Sequence, residues 1–253
     1  MNNFKKEKII THNLNIISTK DLLEEVKKFS FSGKGHYICI TPVHAVIEAY
    51  NNEKFAEVVN DADLALPDGR PVFWALKLLN HKEAEHLPGY YVTKEICKLA
   101  AENNLRIGFY GGKNETLNKC ISNLKKEFEK LTVSYAYSPP FRMLTNEEKK
   151  EIINNINNSE VEILFVCLGC PKQEYWMAEN KDYLKCTSLG VGEVVNIISG
   201  TTKLTPMWIQ KIGMRWMFRL MSDPRRLFWR YLSTNFKFIY LFSKQYFKFK
   251  FNL

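Results

Sequence analysis

A mainly parallel, doubly wound α/β sheet is the fold this sequence predicts. Three observations carry that reading. Apolar strand-like runs alternate with helical patterns from His36 to Val191, the rhythm of strands joined by crossover helices. Most runs end at Gly- or Pro-bearing turns, as in Gly111-Gly112, Gly169-Cys170-Pro171 and Gly190-Val191-Gly192. The 253 residues suffice for one large domain, or one domain plus an appendage, with a real core.

The elements follow in order. Lys8 to Ile17 adds one or two short strands, and Thr19 caps a helix from Lys20 to Phe29. His36–Thr41 is a strand, followed by a helix through Val43 to Val59. Leu64–Leu66 is the next strand, with helical residues from Val72 to Leu79. A helix from about Tyr91 to Asn103 leads to strand Leu105–Tyr110. Helix Glu115–Lys130, strand Thr132–Tyr137, the Pro139-Pro140 loop and helix Asn146–Asn157 come next. Strand Val161–Leu168, a helix from Gln173 and strand Thr187–Val191 complete the body. We expect a core over residues 1–200 and a basic, aromatic helical appendage over 201–253.

Charge separates these two parts. Residues 201–253 hold 11 Lys/Arg against one acid, Asp223, while residues 1–200 hold 25 against 26, so the net +9 resides in the tail. The tail also has 14 of the 34 aromatic residues, among them Trp208, Trp216, Trp229 and Phe236. Cations mixed with aromatics suit an anionic, amphiphilic surface. No run approaches the roughly 18 apolar residues of a spanning helix. Six dispersed cysteines without a secretory leader favour a reducing compartment.

The chemistry-bearing stretch is Ala62–Pro71, which sets Asp68 at the carboxyl end of an apolar strand, where ligands bind in open α/β sheets. Pro67 and Pro71 stiffen φ on either side and Gly69 permits a tight turn. These residues leave a second reading open, Asp68 as a helix N-cap. Three further turns are candidates. Gly111-Gly112-Lys113 sits between strand and helix, where backbone N–H groups can face phosphate, although the G-x-G-x-x-G and G-x-x-x-x-G-K-[ST] spacings are missing. Gly169-Cys170-Pro171-Lys172-Gln173-Glu174 gathers polar groups at a helix start, and Gly190-Val191-Gly192-Glu193 follows another apolar strand.

Together with Leu87-Pro88-Gly89, Gly108–Gly112 and Asp223–Tyr231, these motifs resemble, in order and over nearly the whole chain, the bacterial glycosyltransferases of the WecG/TagA/CpsF family. The resemblance implies a Rossmann-like fold and a metal-independent enzyme without a cofactor. Such an enzyme transfers a sugar, of the N-acetylmannosamine type or another hexose, from a UDP-sugar donor to a polyprenyl-diphosphate-linked saccharide at the cytoplasmic face of the membrane, in teichoic acid or exopolysaccharide synthesis. It implies Asp68 as general base, with Gln173, Arg219, Arg226 and Arg230 as catalytic partners. It places Thr41, His44, Gly69, Arg70, His86, Gly111, Gly112, Gly169, Lys172, Gly190, Gly192, Glu193 and Arg225 around the substrates. A homo-oligomer is compatible with this reading.

The chain departs from the family pattern at four places. Aligned on Asp68, Ile40 and Pro42 stand where a Thr-x-Asn is common. His86 replaces an Arg, Asn196 an Asp and Arg215 a Glu. A diverged, inactive member is therefore an alternative. Asp61-Ala62-Asp63 has the D-x-D form of metal-dependent transferases but precedes its strand, and reads as a solvated turn. Cys167-Leu168-Gly169-Cys170 has no second ligand pair for zinc. A nucleic-acid-binding tail is the rival of another class, without a recognised motif; no nucleic-acid partner is expected. A dinucleotide oxidoreductase lacks its glycine fingerprint.

Overall fold

The computed structural model describes residues 4–222 and 224–251, and the side chains at 222, 226 and 230 lie outside that description. The chain opens with β1 (Lys6–Ile9), β2 (His12–Asn15), α1 (Thr19–Phe31), β3 (His36–Thr41), α2 (Val43–Asn51), α3 (Glu53–Asn60), β4 (Leu64–Pro67) and α4 (Arg70–Leu78). It continues through α5 (Gly89–Asn103), β5 (Arg106–Tyr110), α6 (Asn114–Glu127), β6 (Thr132–Tyr137), α7 (Asn146–Asn158), β7 (Ile163–Val166), α8 (Lys172–Asn180) and β8 (Thr187–Gly190). Four helices finish it: α9 (Val194–Ile198), α10 (Met207–Lys211), α11 (Arg215–Ser222) and α12 (Pro224–Phe251).

Six strands form one sheet in the order β4-β3-β8-β7-β5-β6, as the alternation predicted. The registered pairs are parallel: His36 faces Thr187, Ile163 faces Thr187 and Ile107 faces Ile163. Every residue of β3, β4, β7 and β8 is buried. Strands covered on both faces read as continuous apolar runs rather than alternating ones. The edge strand β6 instead exposes Thr132, Ala136 and Tyr137.

Two compact units share the strand β3. One unit comprises Met1–Ser18, Ile40–Pro88 and Leu204–Leu253. In it, β1 and β2 form an antiparallel hairpin, and Asn15 Oδ1 accepts from Ala65 N of β4 at 2.8 Å. The tail helix α12 buries Leu227, Phe238 and Phe242. It is fastened by Gln245, whose Oε1 accepts from Ile10 N at 2.8 Å, and by Lys237, whose ammonium lies 4.7 Å over the Tyr50 ring. The other unit, Thr19–Cys39 and Gly89–Lys203, holds β5 to β8 and the first part of β3.

Local chemistry corrects two boundaries. The single helix expected over Val43–Val59 is two, because Asn52 is extended (φ −137°, ψ 105°) and its side chain accepts from Phe55 N at 3.2 Å. Asn competes with the backbone for such bonds and so starts α3 rather than continuing α2. Helix α4 begins at Arg70, ahead of the expected Val72, with Pro71 in its first turn. Among the described residues, no helix is long and apolar enough to cross a membrane.

Candidate active site

In the first unit, the carboxyl end of β4 delivers Asp68. Its N–H donates to Thr41 O (3.2 Å), which ties the turn to the end of β3. The helix cap is Gly69, not Asp68. Gly69 itself has ordinary extended geometry (φ −78°), and a Cβ there would meet neighbours only at 3.6 Å and beyond. The special glycine freedom expected at Gly69 is therefore not used. The Asp68 side chain is 15 % exposed and Arg215 Nη1 donates to its Oδ1 at 3.3 Å.

His86 reaches the same residue from the segment before α5. Its Nε2 must carry hydrogen, since it donates to the main-chain carbonyl of Asp68. That segment is held by Leu87 N donating to Pro67 O at 3.0 Å. Burial lowers the imidazole pKa, Asp68 opposes the shift, and Arg70 and Arg215 reinforce it. Arg70 lies 5.6 Å from the Phe73 ring centroid, and its buried Nε has no hydrogen-bond partner among the described residues. Asp68, Arg70 and His86 thus lie near one another, and Arg215 joins them.

What holds Arg215 there is a packing contact. Gly213, two residues earlier, has φ +76°, and a Cβ on it would stand 2.6 Å from the Trp74 ring. Only glycine suits both the left-handed backbone and the indole face. Arg219 follows Arg215 by one helical turn and is half-buried, His44 is half-buried and Arg225 is exposed. The side chains of Arg226 and Arg230 lie outside the described residues.

Thr41 is placed differently from an open substrate contact. It is 1 % exposed and its Oγ1 lies 3.3 Å from Nε2 of the wholly buried His12. Burial, then Lys6, pushes the His12 pKa down to about 3, so this imidazole is neutral. Sequence reading passed over His12 and left Arg215 out of the site. A lone His at the start of a short strand gives no pattern, and Arg215 was visible only as a departure beside Trp216.

In the second unit, the strand ends of β5, β7 and β8 stand in register at Tyr110, Val166 and Gly190. Gln173, 4 % exposed, is held at both ends of its amide. Gly169 N donates to its Oε1 (3.1 Å), and its Nε2 donates to Glu174 Oε1 (2.9 Å). Burial raises the Glu174 carboxyl to about 7, against hydrogen bonds that lower it. Gly190 and Gly192 face the same amide: a Cβ on Gly190 would meet Gln173 Nε2 at 2.8 Å, and one on Gly192 would meet Oε1 at 3.4 Å. Lys172 is exposed and Glu193 half-buried.

The glycine turn after β5 corrects an expectation. Gly111 (φ +105°) leaves no room for a Cβ, which would stand 2.8 Å from Cys167 C. Its N–H donates to Tyr137 O at 2.9 Å, so that amide is spent inside the fold rather than facing phosphate. Gly112 (φ +81°) would meet its neighbours only at 3.8 Å. Of the two decoys, Asp61 is exposed where α3 ends, and Cys167 is buried with its thiol pKa raised by desolvation.

Comparison with known proteins bears on this geometry. Residues 7–252 match the model of the glycosyl transferase WecG/TagA/CpsF family. The chain is 26 % identical over 215 residues to a Bacillus subtilis (strain 168) protein named N-acetylglucosaminyldiphosphoundecaprenol N-acetyl-beta-D-mannosaminyltransferase, covering 85 % of this chain and 81 % of that one. Proteins of the same name in Bacillus spizizenii (26 % over 207 residues, 81 % and 78 % covered) and Staphylococcus aureus strain MW2 (24 % over 209 residues, 81 % and 80 %) are also similar.

Proposed function

The chain belongs to the glycosyl transferase WecG/TagA/CpsF family, and from that premise we propose that it moves an N-acetylmannosamine-type sugar, or another hexose, from a UDP-sugar to a lipid-diphosphate-linked N-acetylglucosamine, with inversion and without a metal. The observation that supports this most is the slightly exposed carboxylate of Asp68 at a strand end, bonded by Arg215 and set beside His86, whose imidazole feels both Asp68 and Arg70. An acceptor hydroxyl is a poor nucleophile, and a fixed base contributes about 10²–10⁴-fold. Asp68 takes the hydroxyl proton as the oxygen attacks the anomeric carbon. The bond to UDP breaks with its electron pair on the diphosphate, whose charge Arg219, Arg226 and Arg230 stabilise. Gln173 orients a sugar or phosphate group through its fixed amide.

The tail, residues 201–253, serves as a peripheral anchor on the anionic cytoplasmic face of the membrane. Exposed Trp208, Trp229, Phe236 and Tyr240 stand among Lys211, Arg225, Lys248 and Lys250, a mixture suited to lipid headgroups. The test is incubation with a panel of UDP-sugars and a synthetic lipid-diphosphate N-acetylglucosamine. UDP release with a new, inverted linkage is expected, and no transfer from any donor overturns the reading. Flotation with anionic vesicles, weakening as salt rises, tests the anchor. Binding to RNA but not to vesicles overturns it.

A further inference from the structure

The contact between Arg215 and Asp68 competes with the reaction it adjoins. A hydroxyl giving its proton to Asp68 must approach a carboxylate oxygen, and Arg215 Nη1 already holds one of the acceptor positions on Oδ1, so hydroxyl and guanidinium compete for that oxygen. We propose that Arg215 is the residue that senses the acceptor: the acceptor's diphosphate draws its guanidinium off Asp68 and so opens the carboxylate to the incoming hydroxyl. This rests on the transferase reading above.

Three features argue for it. The contact is 3.3 Å long, beyond the roughly 2.7–2.9 Å of a strong charge-assisted bond, so a better anion can displace it. Both partners are reachable, Arg215 being 25 % and Asp68 15 % exposed. The surroundings favour an anion: Arg70 and Arg215 act on the same imidazole as Asp68, and the buried Arg70 Nε lacks a partner among the described residues. Among the described residues the guanidinium groups of Arg70 and Arg215 thus stand by one imidazole, and a diphosphate's oxygens match the guanidinium fork.

The supports on either side stay in place during the exchange. The Trp74 face against Gly213 fixes the start of α11, so Arg215 moves by rotation of its own side chain. His86 holds the Asp68 carbonyl, so the carboxylate changes partners without moving its backbone. A single pyranose ring separates the attacking hydroxyl from the anomeric diphosphate of such an acceptor, a span an Arg side chain can cover. In the step itself, the hydroxyl proton passes to Asp68, the acceptor oxygen bonds to the donor's anomeric carbon, and UDP leaves with the electron pair.

The experiment compares two soluble acceptors, short-alkyl N-acetylglucosaminyl diphosphate and the neutral alkyl N-acetylglucosaminide, with the full-length protein, R215Q and R215K. The wild-type protein should prefer the diphosphate in kcat/KM. R215Q should shrink that preference by about tenfold or more, with the KM for the UDP-sugar unchanged, and R215K, which keeps the charge without the fork, should restore part of it. A ratio unchanged in R215Q overturns the proposal, since a merely structural residue lowers both acceptors alike. A raised donor KM with an unchanged ratio would assign Arg215 to the donor's diphosphate and also overturn it. If the wild-type protein transfers to neither acceptor, the transferase reading falls first and this inference with it.

Discussion

Replacing Gly190 by Ala tests whether Gln173 is held by packing as well as by hydrogen bonds. Gly190 lies in β8 without a left-handed φ, so the backbone accepts Ala. The new methyl would stand 2.8 Å from Gln173 Nε2 and 3.0 Å from Met177 Cε. The methionine end can yield, but the Gln173 amide is fixed between Gly169 N and Glu174 Oε1. Moving it breaks two buried bonds and strands their partners, at about 1–3 kcal/mol each. Burying one methyl returns about 0.8 kcal/mol, and the stiffer unfolded chain about 0.4–1 kcal/mol. The net loss is about 1–4 kcal/mol, or a fall in Tm of about 2–4 °C for each kcal/mol in a chain of this size. Thermal unfolding of G190A, Q173A and the double variant reads it, alongside kcat/KM. If displacement of Gln173 is the cause, G190A costs little in the Q173A background. An equal loss in both backgrounds refutes the reasoning.

Further outcomes follow from the same geometry. D68N should lower kcat by about 10²–10⁴-fold while leaving UDP affinity largely intact by calorimetry; near-normal turnover would remove Asp68 as the base. G213A should destabilise the protein and lower activity, because its Cβ would strike Trp74. In a W74A background only the left-handed strain, about 1–2 kcal/mol, should remain by urea unfolding. Glu174 titrates at about 7 instead of 4.5, so between these values the folded protein holds a proton that the unfolded chain has released. That stability is complete below 4.5 and disappears as the pH rises through about 7. E174Q keeps the acceptor oxygen for Gln173 but binds no such proton. Its stability relative to wild type should therefore grow by on the order of 3 kcal/mol across that range, and a difference independent of pH would rule out the raised carboxyl.

The order of strands and helices, and the position of Asp68 at a strand end, were legible in the amino-acid sequence because both rest on local rules. Strands buried on both faces read as near-continuous apolar runs, as β4 and β7 do, whereas β3 also buries His36 and Thr41 and β8 buries Thr187 and Ser188. A Pro-Asp-Gly turn after such a strand sets the carboxylate at its end. Helix breaks were less legible, since Asn52 acts as a cap only when its side chain meets Phe55 N. Tertiary structure alone decided what surrounds the carboxylate. Arg215 is 147 residues from Asp68, and His12 is 29 from Thr41. No periodicity spans such separations: the partners are chosen by how Gly213 seats on Trp74 and how the hairpin lies against β4. The same holds for Gly111 and Gly69. One needs its missing Cβ because Cys167 passes beside it, and the other does not because nothing comes as close. Local stereochemistry is written residue by residue, whereas the charge and packing around a site come from segments that meet only when the chain has folded.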